Sequence, residues 1–554
     1  MKNILEKIIK ILIISLVILL PLVNSHFFDL IGVKIGAYVT GNYEFTKAIL
    51  FNNLSGIIII LFFISNIKNK IIIPKITFIL TGILFLSFIF SSFPITSLFG
   101  ESGKGHGIIL FLNLIGLYIV FINQKAKDLK KYLNYSIYSL VFVIFFGIKE
   151  YYFPTFDYGN LSNRAIGTFG HPNFLALYLL IFFPLIINNI KKGLSKKNNI
   201  FNYLIIFFII FTILITQSIW GIFLLFFYII YLEFLKHKEK INKKYAGILI
   251  ILLIFILTYI IYNFGLITKL SSFISRFYIW KTTILILLSD FKNILFGLGA
   301  DTMLYTFDTY KATELYIFEN IGYTANRPHN LGLNLFYHFG ILGLVSYICF
   351  IYKIYKLAIQ KKSKKSNIFY IHSIILFLIF TIFNFSSIAA YLINILILSI
   401  IYQKNQKKKS ILYFLPYILF SFLSIYGSYN YYSEEHKKFI QKGYISENKY
   451  YNKLILENPE KMIFKENLSL EKICQNLINK IPSAENYFYC GNLFWNYDKE
   501  KAINYYKLGL ERIPNMWDVK SNYYNNILIK NLFVPERFYS EKFSNIKEIL
   551  ERIK

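Results

Sequence analysis

The chain has 554 residues, 56% hydrophobic and 19% aromatic but only 16% charged, with a formal net charge of +30. Soluble domains carry about a quarter charged residues, so this composition excludes an ordinary soluble enzyme. An excess of positive charge can mark a nucleic-acid binder, but the positions of the lysines assign it another meaning.

Apolar stretches recur at about 8–23, 48–66, 71–92, 107–123, 134–153, 172–190, 200–216, 218–235, 246–264, 332–352, 369–385, 388–402 and 411–428. They predict an all-α, polytopic membrane domain over residues 1–428 with about thirteen transmembrane helices. Lysines gather at alternate ends of these stretches: near Lys2, Lys68, Lys125, Lys191, Lys240, Lys361 and Lys407. These seven segments hold 29 lysines against four acids. Basic loops stay on the cytoplasmic side during insertion, so the charge reports topology and no nucleic-acid partner is expected. This places the N-terminus in the cytoplasm and the tail outside the cytoplasmic (inner) membrane, with membrane lipids around the spans. The basic N-terminal stretch lacks a small-residue cleavage site and reads as a retained first helix.

The pair of stretches across 200–235 is too long for one crossing and requires a turn at Thr216-Gln217-Ser218. The longest outer loop is 265–331, and loops above about 15 residues are usually functional or disordered. This one opens with an amphipathic segment over 271–288, continues through Phe296-Gly297-Leu298-Gly299-Ala300 and ends at Arg327-Pro328-His329-Asn330. Residues 429–554 read as a soluble, extracytoplasmic helical domain broken at Pro459, Pro482 and Pro514. There, Ala502, Tyr506, Gly509 and Pro514 match the second half of a tetratricopeptide repeat. Cys349 falls in a span; Cys474 and Cys490 lie in the tail, where a disulfide and free thiols are both open.

Arginine is scarce, with six against 54 lysines. Those of the membrane domain, Arg164, Arg276 and Arg327, all fall in expected outer loops and none in a lysine-rich one. A planar, permanently charged fork suits a diphosphate. His329 stands before the tenth span beside Arg327 and Asn330; a nearby cation and the membrane interface should lower its pKa and favour the neutral base. His171, in the turn Arg164 to Asn173, and His106 are weaker candidates. The spans hold almost no ionisable residues, and no Walker-A, Asp-x-Asp, metal-ligand or Gly-x-Ser-x-Gly pattern occurs. No metal or cofactor is therefore expected.

At these residues the sequence resembles the O-antigen ligase/polymerase family of bacterial membrane glycan transferases, which includes protein O-oligosaccharyltransferases. The likeness runs over roughly residues 90–400: Ser97-Leu98-Phe99-Gly100 with Gly107, Arg164 to Ala176, Arg276 with Trp280, Gly297-Leu298-Gly299, and His329-Asn330 with Phe339-Gly340-Ile341-Leu342-Gly343. The resemblance implies transfer of a glycan from a polyprenyl-diphosphate carrier to the hydroxyl of a glycolipid or protein acceptor, without metal or nucleotide. It implies His329 as catalytic base, Arg164, Arg276 and Arg327 on the diphosphate, and Asn330, His171, Asn173 and Trp280 in support. The family's Thr-x-Ser-Arg is here Thr216-Gln217-Ser218-Ile219, which leaves that clamp one cation short or draws it from elsewhere. Ligation, polymerisation and transfer to protein share this chemistry. Outside it stand a lipid-linked glycan flippase or other transporter and a non-catalytic membrane anchor.

Lysine alternation is testable by labelling. A cysteine placed at position 300 or 500 should react with an impermeant reagent in intact cells while one at 240 is protected; the reverse pattern would overturn the orientation.

Overall fold

The structure, a computed structural model, describes residues 2–24, 43–101, 104–154, 164–191, 196–236, 270–307, 310–312, 315, 325–360, 367–402, 408–427 and 498–511, with isolated positions from 471 to 494. The apolar stretch 246–264 and the lysines from 238 to 244 lie outside these residues. Two compact units divide the chain. One holds residues 1–266, 295–301 and 329–432; the other holds 267–294, 302–328 and 433–554.

The first unit is a bundle of apolar helices: α1 (Lys2–Leu19), α2 (Tyr43–Asn66), α3 (Lys75–Phe90), the short α4 (Pro94–Phe99), α5 (Ile108–Ile122), α6 (Ala126–Tyr152), α7 (Pro172–Lys191), α8 (Lys196–Ile215) and α9 (Ile219–Lys236). In the second unit, α10 (Leu270–Leu288) opens the long loop, and α11 (Phe291–Phe296) crosses the boundary between the units. Next, α12 (Met303–Thr306) belongs to the second unit. Then α13 (Leu331–Gln360), α14 (Asn367–Ile382), α15 (Ile388–Tyr402) and α16 (Ile411–Gly427) return to the first. Four of these are long and apolar enough to cross a membrane: Tyr43–Asn66, Ala126–Tyr152, Pro172–Ile190 and Leu331–Leu357. Seven shorter apolar helices accompany them. At about 1.5 Å rise per residue, helices of 15–17 residues reach roughly 25 Å and need flanking residues to complete a crossing. Helix α7 lies deep in the bundle, its residues Leu175 to Phe182 almost wholly buried.

Segments expected on one side of the membrane meet one another. Strand β1 (Lys70–Ile72) pairs antiparallel with β2 (Lys408–Ser410), Lys70 opposite Ser410, and Lys10 Nζ bonds Asp128 at 2.9 Å. The turn at 216–218 falls between α8 and α9, with Gln217 at φ +50°. One expectation is corrected. Helix α2 begins at Tyr43, not near 48, and brings Glu44 and Lys47, both buried, into a helix read as free of charge.

Helix α13 is broken at Gly340, whose φ of +66° and ψ of −173° are not helical. The break strips the carbonyls of Tyr337 and His338 of their helical partners, and in an apolar interior each must find another donor. Leu298 N–H supplies Tyr337 O at 2.8 Å, and Gly299 N–H supplies His338 O at 3.2 Å. Ser87 Oγ adds a second bond to His338 O at 2.6 Å. The turn comes so close that a Cβ on Gly340 would stand 2.1 Å from Leu295 O, and one on Gly297 2.5 Å from the His338 backbone. Asp301 ends the turn: its N–H donates to His338 Nε2 at 3.2 Å, and its Oδ2 accepts from Glu101 N–H at 2.8 Å and His106 N–H at 3.3 Å. Ala300 is fully buried here, so position 500, on an exposed helix turn, is the informative site for labelling.

In the second unit Cys474 and Cys490 form a disulfide, with Cα atoms 5.7 Å apart. Helix α17 (Lys499–Glu511) buries Ala502 completely; Pro514 of the repeat-like pattern lies outside the described residues.

Gly340→Ala combines a left-handed backbone with a collision against main chain and should cost about 3 kcal/mol or more. Thermal unfolding in detergent should show a large loss for it and little change for Gly82→Ala, whose added Cβ would meet no atom within 4 Å.

Candidate active site

In the first unit, the N-termini of four helices meet at one end. His171 leads α7, with Pro172 at the first helical position, and its Nδ1 accepts from Asn173 N–H at 3.2 Å. Ser218 caps α9 through Gly221 N–H at 3.3 Å. Asn330 caps α13 through Leu333 N–H at 2.9 Å, and Ser387 caps α15 through Ala390 N–H at 3.3 Å. Capping side chains satisfy N–H groups that the helix cannot. Each helix start also carries roughly half a positive charge.

Asn173 ties three of these starts together. Its Oδ1 accepts from Ser218 Oγ at 2.8 Å, and its Nδ2 donates to Asn384 Oδ1 at 2.9 Å, just before α15. Phe385 lies between the two histidines, its ring centroid 5.4 Å from His171 and 4.7 Å from His329. His329 is half-buried and has φ of +55°. A non-glycine residue in that region is uncommon, and such strain clusters at functional positions.

Arg164 stands at the turn between α8 and α9. Its Nε donates to Thr216 O at 3.0 Å and its Nη2 to Gln217 O at 3.3 Å, while Ala165 N–H reaches Ile215 O at 3.0 Å. Burial pushes its pKa down to about 10, so it remains charged at neutral pH. The guanidinium is thus held on the backbone of the turn that precedes Ile219.

Behind this end, Glu44 and Lys47 join segments distant in sequence. Lys47 Nζ donates to Val23 O at 2.7 Å and Thr168 O at 2.5 Å; Thr168 is three residues before His171. Glu44 Oε2 accepts from Ile388 N–H at 3.0 Å, at the start of α15, and lies 3.5 Å from His106 Nε2. A charge in a membrane helix marks function by default. These two charges fix the turn that carries His171 and the helix start that follows Phe385. Neither they nor Asn384 and Phe385 stand out in the sequence, because their partners are far along the chain.

Arg276, Trp280 and Arg327 belong to the second unit. Arg276 and Trp280 are half-buried on successive turns of α10, and Arg327 is buried. Trp280 Nε1 donates to Pro328 O at 2.7 Å, fixing the residue that precedes His329 in the chain. The structure therefore brings His171 and His329 against Phe385 in one unit, with Asn173 bonded to the neighbouring Asn384 and Arg164 bound to the same α8–α9 turn as Ser218. Among the described residues no three His, Cys, Asp or Glu side chains stand together as a metal site.

The Asn173–Asn384 bond is the narrowest link in this arrangement. A double-mutant cycle of Asn173→Ala and Asn384→Ala, read by thermal unfolding, should give a coupling of about 0.5–1.5 kcal/mol; additive losses would contradict the contact.

Comparison with known proteins gives one assignment: residues 204–348 match the O-antigen ligase family. The match contains Ser218, Arg276, Trp280, Arg327, His329 and Gly340. No curated protein and no solved structure matches the chain.

Proposed function

We propose that this chain, whose residues 204–348 match the O-antigen ligase family, moves a glycan from a polyprenyl-diphosphate carrier to an acceptor hydroxyl at the outer face of the cytoplasmic membrane. The observation that carries the reading is the convergence of four helix N-termini around His171, Asn173, Asn384 and His329. Such an end is polarised to receive an anion, and the diphosphate is the anion of this donor.

In the proposed reaction the acceptor hydroxyl attacks the anomeric carbon on the face opposite the diphosphate. His329 takes the hydroxyl proton as the new C–O bond forms. The bond from the anomeric carbon to the diphosphate oxygen breaks, and polyprenyl diphosphate leaves with inverted configuration in the product. Arg164 stabilises the departing charge, and the family likeness assigns Arg276 and Arg327 to the same anion. The leaving group is already good, so neither metal nor nucleotide enters the scheme. Residues 429–554 would engage the acceptor or a partner, whether glycolipid, growing glycan or protein.

Room for the lipid tail supports the reading. Two apolar cavities, of about 170 and 370 Å³, adjoin along α13 and share Tyr347, Ile351 and Leu378. They run from Leu331, two residues after His329, to Tyr355 near the far end of the helix. The two helical parts of α13 on either side of the Gly340 break thus both border apolar space. A transporter would be expected to break and charge its spans in matching halves. Among the described residues α13 is broken at Gly340, α7 carries Pro184 within its length and the buried Glu44 and Lys47 are in α2, so charge and interruption do not fall in the same span.

His329→Ala should lower single-turnover transfer by about 10²–10⁴-fold while donor-lipid affinity stays near wild type, with a smaller loss for His171→Ala. Arg276→Lys and Arg164→Lys should each be severely impaired, because a point charge replaces a bidentate fork. Normal turnover in His329→Ala, or loss only through misfolding, would refute this assignment.

A further inference from the structure

A second polar site lies at the lysine-bearing end of the first unit. The ends of α1, α2 and α6 and strand β1 border an open cavity of about 780 Å³. Its lining has amide side chains (Asn66, Asn69 and Gln124) together with the cations Lys2, Lys70 and Lys125. Lys10, also in the wall, is neutralised by Asp128 at 2.9 Å. The three other lysines form no salt bridge among the described residues, and the acid Glu6 alone offsets them in the lining. The cavity therefore keeps an excess of positive charge.

Its wall is preformed. Asn123 holds strand β1 by both backbone groups of Ile72, accepting from its N–H at 2.9 Å and donating to its O at 2.9 Å. The same strand is paired with β2.

We propose that this cavity binds the phosphate headgroup of an anionic membrane phospholipid. A lipid is favoured over a soluble anion by the surroundings. The site lies where α2 and α6, two helices of membrane-crossing length, end and begin. Ile67, directly after α2 and next to the lining residue Asn66, is more than half exposed. A phospholipid would set its phosphate among the lysines and lay an acyl chain past Ile67. Basic pockets between transmembrane helices recognise such headgroups, and each lysine near the surface strengthens the attraction several-fold.

The test uses the full-length protein in nanodiscs and native mass spectrometry of retained lipid. Phosphatidylglycerol should be retained in preference to phosphatidylcholine. Lys70→Gln with Lys125→Gln should weaken that retention by about tenfold, whereas Lys353→Gln with Lys356→Gln, the same charge change away from the cavity, should not. Equal loss in both double variants would reduce the effect to diffuse surface charge and overturn the proposal. So would equal retention of the two lipids. Displacement of the lipid by millimolar inorganic phosphate would make the cavity a soluble-anion site.

Discussion

The first unit depends on how the break in α13 is repaired. A helix interrupted at Gly340 releases two carbonyls into an apolar interior, and leaving them unbonded would cost several kcal/mol. The 297–299 turn pairs with both, Ser87 bonds one of them a second time, and Asp301 carries the connection on to Glu101 and His106. The repair needs glycine at 340 and 297, because any side chain there would occupy the space taken by the opposing backbone. The segment led by His329 is therefore aimed by a set of main-chain bonds and not by side-chain packing alone.

That rigidity bears on chemistry because the opposite requirement holds at the helix starts. Four N-termini with positive ends repel one another unless capped, tied or given an anion. Asn173, Ser218 and Asn384 tie three of them, and Glu44 places a carboxylate on the first N–H of α15. What remains is a polarised end, the feature on which the proposed diphosphate site rests. Arg164 adds a fixed cation at the turn where Ile219 supplies none.

Much of this was legible in the sequence, and for physical reasons. Apolar runs and lysine alternation mark helices because a bilayer demands both. The turn at 216–218 followed from length alone. The motif glycines could be recognised, but their reason, a backbone approach between residues 295–299 and 338–340, appears only when both segments are placed. Glu44 and Lys47 were lost because a charge at a helix start looks like a loop charge until its partners, Ile388 and Thr168, are known. Asn330 read as a support for chemistry proves also to be a helix cap. For Cys474 and Cys490 composition left pairing open, and only the fold of the second unit decided it.

The central claim is glycan transfer from a lipid diphosphate, and reconstitution tests it most directly. Purified protein would be placed in vesicles with a polyprenyl-diphosphate glycan and a hydroxyl acceptor, with chelator present and nucleotide absent. The account predicts glycosylated acceptor and free polyprenyl diphosphate in equal amounts. Donor that crosses the bilayer with its glycan still attached, or transfer that appears only on addition of metal or nucleotide, would contradict it.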